Sequence, residues 1–368
     1  MKIAFIIDKT QTFQIIAKML KTALQKKYTC DVYCCFEFDQ LKYVKDYYGE
    51  YISKINWVTN KNRNVLVDQL LKNRKSYDSV VGINFYNHAL RPIFESNNIH
   101  NYGLEYCWNE IYNSTESKAS NFKSSGTLFC NSLKTKKMIG KIIGFENLDY
   151  LGSPWYEFLD ESKVLEKDNK IVFMVPHQSF YNRTLGLRKY VNLFLEILGE
   201  YCKKNKYELL LKTRSKYSEN YSNAKNVKKI ISDSELCSHI STCKNAKLVV
   251  NFCSSAINEL TYLQVPFLVI GTQIQKKLHP DMRCNEGIKL IHEQYYNGLI
   301  FDKIHCESIE IEDNLNFNIL SQLFDNLINS NKDWNTFQKD FFCGNFKGSS
   351  ERIFKKMEKN AIKKNSVS

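Results

Sequence analysis

The 368-residue chain has no G-x-G-x-x-G turn after its first strand-like run and no G-x-x-x-x-G-K-[ST] loop. Both absences remove the best sequence signals for a dinucleotide oxidoreductase and for a P-loop ATPase. It also lacks G-x-S-x-G, the sharp strand-to-helix turn that presents a hydrolase nucleophile. No segment approaches the roughly 18 to 20 apolar residues that a membrane span needs. The opening "MKIAFIIDKTQ" carries too short an apolar run for a secretory signal, and Asp8 interrupts it. Twelve cysteines are present but form no evenly spaced framework. "CDVYCCF" and "LVVNFCSS" set them among apolar, strand-like residues, where a free thiol packs as a small hydrophobe. A reducing, cytoplasmic setting is the expectation. In "CSHISTC", Cys237, His239 and Cys243 have no second ligand pair at zinc-like spacing, so no metal site is expected. Aromatic residues are plentiful, yet no RNA-recognition signature interleaves them with basic ones.

What is there suits a folded protein of more than one core. Hydrophobic residues make up 43% and charged residues 25%, ordinary for a globular chain, and the length favours two domains. The formal charge of +13 suits a phosphate-bearing ligand, an anionic membrane surface or nucleic acid. A general richness in lysine accounts for it equally well. The lysines are scattered rather than gathered in a stripe, which argues against a nucleic-acid partner.

Strand and helix signals alternate along the first half. "KIAFIID" reads as a buried strand, and Phe13, Ile16, Ala17, Leu20 and Leu24 mark a helix over 10–27. "CDVYCCF", "SVVGINF", "TLFCNS" and the short "LDYLGSP" read as further strands, with helical patterns in "NHALRPIFESNN" and "LKTKKMIGKIIG". After a polar stretch over 157–170 the pattern restarts. "KIVFMVPHQS", "YELLLKTRSK", "VKKIIS" and "KLVVNFCSS" read as strands, with a helix over 187–204 and a helical "SELCSHISTCKNA". Such alternation predicts parallel sheets with helices on both faces. The expected division is 1–155, 156–345, and a C-terminal helix with a flexible tail at 346–368. That helix is amphipathic through Ile353, Phe354, Met357 and Ile362 and is expected to dock on the first domain.

In doubly wound sheets ligands bind beyond the carboxyl ends of the strands. That principle selects a few segments. In "NFCSSAINELTYLQVPFLVIG", Ser254 and Ser255 follow a buried strand and can cap a helix or donate hydroxyls to a phosphate. With Ser255 as the cap, Asn258 takes the third helical position, so a capping box is missed by one residue. Glu259 instead shares the face of Ser255 and can accept hydroxyls such as those of a ribose. Alternatively it is an acidic residue near a positive helix end. Lys212 and Arg214 in "LLLKTRSK" alternate onto one side and suit phosphate contacts, or form a basic loop in a basic protein. His177 in "MVPHQS" sits in the first loop of the second half, where it faces a ligand or simply packs. A base that deprotonates an acceptor hydroxyl should come from the other half. His88 and Glu105 are the candidates there, each with a structural alternative.

The pieces "FCNSLKTKKMIG", "LGSP", "LLLKTRSK", "AKLVVNFCSSAINELTYLQVPFLVIG" and "GSSERIFKKM" together resemble bacterial surface-polysaccharide glycosyltransferases of the GT-B type, and the related CDP-glycerol glycerophosphotransferases. The resemblance covers Thr127 to the C-terminus, and its most specific part is S-S-x-x-x-E followed by "VPFLVIG". It implies an α/β fold of two Rossmann-like domains facing a central cleft. It also implies a nucleotide-activated donor, a nucleotide-sugar or CDP-alditol, on the C-terminal half, with no essential metal or other cofactor. Ser254 and Ser255 would meet the donor's phosphates and Glu259 its hydroxyls. Lys212, Arg214 and His177 would offset charge on the leaving phosphate. The acceptor implied is a glycan or lipid-linked glycan, with peripheral association at the inner face of the cell membrane. One departure stands out: "VPHQSFYNR" occupies the place of a Gly-rich loop. The same cleft serves non-hydrolysing sugar-nucleotide epimerases, which is the alternative within enzymes. A basic nucleic-acid-binding protein and a scaffold are the readings from other classes.

Overall fold

The computed structural model describes residues 1–7, 10–36, 47–83, 100–105, 126–133, 136–137, 147–160, 166–175, 185–212, 229–231, 242–251, 256–271, 306–310, 315–330, 334 and 346–365. The chain divides into two units, one of residues 1–161 with 341–368 and one of residues 162–340.

The first unit contains β1 (Lys2–Ile7), α1 (Thr10–Gln25), β2 (Thr29–Cys34), β3 (Ile55–Thr59), α2 (Arg63–Lys72), β4 (Ser79–Ile83), β5 (Asn101–Leu104), β6 (Thr127–Phe129), β7 (Leu148–Asp149) and α3 (Pro154–Asp160). Its sheet runs β3-β2-β1-β4-β5-β6-β7, all parallel. Apolar runs such as Ile3–Phe5 are buried because helices cover both faces of a parallel sheet. The five apolar residues that mark α1 in the sequence are all buried. On one face Ala4, Tyr33 and Val80 pack with Leu66 and Leu70 of α2. The polar stretch over 157–170 begins inside α3, whose Trp155, Tyr156, Phe158 and Leu159 are buried. Because α3 packs on α1, the unit continues to residue 161 rather than ending at 155.

The second unit contains β8 (Lys170–Met174), α4 (Leu185–Asn205), β9 (Glu208–Lys212), β10 (Lys229–Ile231), β11 (Leu248–Asn251), α5 (Ala256–Tyr262), β12 (Phe267–Gly271), β13 (Cys306–Glu310) and α6 (Phe317–Ile328). The parallel sheet runs β10-β9-β8-β11-β12-β13. This is the Rossmann order, and the strand order reverses beside the first strand, between β8 and β11. One face carries a core of Ile171, Phe173, Leu209, Leu211, Leu248, Val250, Leu268 and Ile270 against Phe194 and Leu198 of α4 and Leu320 and Phe324 of α6.

A shared device ends three of these helices. Lys27, Lys206 and Gln264 take φ of 61°, 59° and 57°, the left-handed region. In each case the following residue's N–H reaches back five residues, from Tyr28 to Ala23, Tyr207 to Cys202 and Val265 to Leu260. That is the Schellman closure, here made without the usual glycine. The helices expected in "NHALRPIFESNN" and most of "SELCSHISTCKNA" lie outside the described residues.

The last helix, α7 (Ser349–Asn365), packs on α1 and α3. Ile353, Phe354 and Met357 are fully buried, whereas Ile362 is 68% exposed. Lys26 pairs with Glu351 at 3.1 Å, Lys356 with Asp149 at 3.5 Å, and Asn360 donates to Tyr102. Glu157 of α3 accepts from the backbone N–H of Gly348 and Ser350 and from the Ser350 hydroxyl, at 2.7 to 3.0 Å. Among the described residues no helix is long and apolar enough to cross a membrane.

Candidate functional site

In the second unit, the strand register lines up the carboxyl ends. Met174 of β8 stands beside Lys212 of β9 and beside Asn251 of β11, and Asn251 stands beside Val269 of β12. Neighbours in parallel register point to the same face, and side chains alternate along each strand. Leu211 and Val250 belong to the face covered by α4 and α6, so Lys212 and Asn251 point to the other. The β8–α4–β9 and β11–α5–β12 crossovers move in opposite directions across the sheet. Right-handed crossovers therefore place α5 on the Lys212 side. Glu259, buried on α5, stands on that same side.

This end of the sheet is unusually polar for its burial. Lys212 is 4% exposed, Glu259 7% and Asn251 0%. A buried ammonium persists only where charge or hydrogen bonds compensate its lost hydration, and such a lysine is chemically suited to contact an anion. The Lys212 charge also reaches Cys243. Burial pushes that thiol up from 9.0 to about 12, with Lys212 and Lys170 pulling weakly the other way. Cys243 is thus a neutral packed thiol near pH 7. Among the described residues no group of three His, Cys, Asp or Glu stands together as metal ligands. His177, Arg214, Ser254 and Ser255 lie outside the described residues.

In the first unit, Glu105 follows β5 directly and is 2% exposed. Its Oε2 accepts from the Asn131 N–H at 2.7 Å, and its own carbonyl accepts from Asn131 Nδ2 at 3.0 Å. Ser153 in turn donates to Asn131 Oδ1 at 2.7 Å. The bracket ties the ends of β5 and β6 to the start of α3. It gives a physical job to "FCNS" and "LGSP", whose Asn131 and Ser153 the sequence reading quoted without assigning roles. Burial, with Glu105 second, raises the neighbouring Cys130 thiol well above its ordinary value. His88 lies outside the described residues. The register brings Lys212 and Asn251 into one row with Glu259 on the same side, while Glu105 belongs to the other unit.

Asn251 was missed by sequence reasoning. The signal was available: a lone amide closing the aliphatic run "LVVN".

No family model matches the chain, and no curated protein matches it. Solved structures do. The UDP-GlcNAc 2-epimerase of Methanocaldococcus jannaschii is similar with a TM-score of 0.62 at 14% identity, over 97% of this chain and 99% of that one. The UDP-GlcNAc 2-epimerase of Neisseria meningitidis bound to UDP-GlcNAc is similar at 0.60 and 11%, over 98% and 100%. The glycotransferase of kitacinnamycin follows at 0.56 and 8%, over 97% and 99%. Likeness of this extent and identity establishes the fold: an α/β chain of the GT-B type, with two Rossmann-like units.

Proposed function

We propose that the chain is a transferase that moves a sugar, or an alditol phosphate, from a nucleotide-activated donor to a hydroxyl of a surface-polysaccharide acceptor. The observation that supports this most is the buried row at the switch point of the second sheet. Lys212 supplies a cation and Glu259 a carboxylate on one face of the strand ends, where doubly wound folds hold nucleotides. Neighbours of the same fold are described as bound to UDP and UDP-GlcNAc, which supports a nucleotide donor here.

In this reading Lys212, with Arg214 and His177, stabilises the charge that grows on the leaving phosphate as the anomeric bond of a sugar donor, or the diphosphate bond of a CDP-alditol, breaks. Glu259 holds donor hydroxyls, and Ser254 and Ser255 meet the phosphates. The acceptor hydroxyl loses its proton to His88 or Glu105. The Asn131 N–H already occupies Glu105 Oε2, which gives Glu105 a structural duty beside any chemical one. Metal is not required in this scheme, so a chelator should leave the rate unchanged.

Thermal shift with UDP-sugars and CDP-alditols tests the donor. A bound donor raises the melting temperature by mass action, and Glu259→Ala should weaken that binding about tenfold or more. The reading fails if no activated donor shifts the wild-type chain and Glu259→Ala transfers as well as wild type. Glu105→Gln separates its two duties: it keeps an acceptor for Asn131 while removing the base.

A second reading, a non-hydrolysing sugar-nucleotide epimerase, is favoured by the epimerases among the similar structures. The two part on one observation. An epimerase converts UDP-GlcNAc with no acceptor present, and a transferase does not.

A further inference from the structure

We infer that Asn251 is a ligand-contacting residue of the switch-point site, reading a hydroxyl of the nucleotide-activated donor. This rests on the donor reading above.

Asn251 closes β11 between β8 and β12, at the point where strand order reverses. It is fully buried, and among the described residues neither Nδ2 nor Oδ1 has a hydrogen-bond partner. Its register neighbours on this face, Met174 and Val269, offer no side-chain oxygen or nitrogen. A buried amide with both ends unmet is costly, and native chains retain few of them. Leucine has nearly the same shape and would suit these neighbours better. An unmet polar group that packing does not explain points to a partner that arrives from outside.

The chemistry of the amide narrows that partner. Nδ2 donates and Oδ1 accepts, so the matching group must accept and donate side by side. Phosphate oxygens only accept. A sugar hydroxyl does both, directly or across one bound water. Lys212 lies two strands away on the same face, about 10 Å at the usual strand spacing, room for a phosphate next to that hydroxyl. Glu259 on the same side adds a carboxylate that takes hydroxyl donors. The row therefore divides the donor, with the anionic part toward Lys212 and the hydroxylated part toward Asn251.

Two measurements on Asn251→Leu test this. Without ligand, the variant should melt several degrees higher than wild type, because two unmet polar atoms are gone. With UDP or UDP-GlcNAc, its dissociation constant by calorimetry should rise about tenfold or more, the equivalent of one lost hydrogen bond. Inorganic diphosphate should bind both proteins equally. A loss with UDP-GlcNAc alone assigns the hydroxyl to the sugar; a loss with UDP as well, absent when 2′,3′-dideoxy-UDP is compared, assigns it to the ribose, and a loss that persists with the dideoxy nucleotide overturns the hydroxyl assignment. If wild type binds both nucleotides and Asn251→Leu binds them as tightly, this inference is overturned while the donor reading stands. If wild type binds neither these nor any other activated donor, both fall together. Should Asn251→Leu not fold, Asn251→Ala takes its place in the binding comparison, with the same outcomes.

Discussion

Cys30, Cys202 and Cys243 illustrate how far burial alone sets the chemistry of single residues. Burial pushes each thiol from 9.0 to about 12, with Asp31 adding to the rise at Cys30. Between pH 9 and 12 the folded chain therefore holds protons that the unfolded chain has released. The stability these thiols lend is complete below about pH 9 and disappears as pH rises toward 12. The urea midpoint should fall steadily above pH 9, and a thiol reagent at pH 8 should label these three only on unfolding. A midpoint flat from pH 8.5 to 10.5 would contradict the assignment. The burial of Cys30 was legible, since "CDVYCCF" reads as a strand without any structure. The setting of Glu105 was not. Its partner Asn131 lies 26 residues away, and only the pairing of β5 with β6 brings them together. Sequence patterns show which face a residue takes; hydrogen-bond partners depend on register between distant strands.

Among the elements, the C-terminal helix shows the same divide. Its apolar stripe was legible and three of its four members are buried, because a 3.6-residue period is local information. What seats its first turn is not local. Glu157 holds the Gly348 and Ser350 N–H groups from almost two hundred residues away. Arg352 donates from Nε to the Leu151 carbonyl at 2.7 Å. Gly152, at φ 96°, passes so near that a Cβ there would lie 2.1 Å from Ser349 Oγ. Glu157→Ala leaves three donors at the helix start without their acceptor and should cost about 1–3 kcal/mol. Chemical denaturation measures that cost, and limited proteolysis should then cut first near residue 346. An unchanged midpoint would show that water replaces Glu157 without loss. β3, α2, β13 and α6 had no counterpart in the sequence reading. β3 and α2 fall in a mixed polar stretch where neither period dominates, as in "INWVTNKNRNVLVDQ".

At the scale of the molecule, the alternation of strands and helices was enough to expect two doubly wound sheets, and each follows from hydrophobic runs that only a two-faced parallel sheet can bury. The first unit, however, is made from both ends of the chain. Removing residues 346–368 deletes Ile353, Phe354 and Met357 from its core, roughly 5–9 kcal/mol of burial and comparable to the whole stability of a domain. The truncated chain should lose the first unit's melting transition and keep that of the second, as followed by calorimetry and by hydrogen exchange on β1 and β8. Equal protection of both strands in the truncated chain would overturn this.

That arrangement also sets an order of events during synthesis. The segment that completes the first sheet's helical cover is made only after an entire second sheet. Nascent chains must therefore carry α1 and α3 with an uncovered apolar seam until that helix emerges. Any product released before that point carries the seam open to chaperones and proteases.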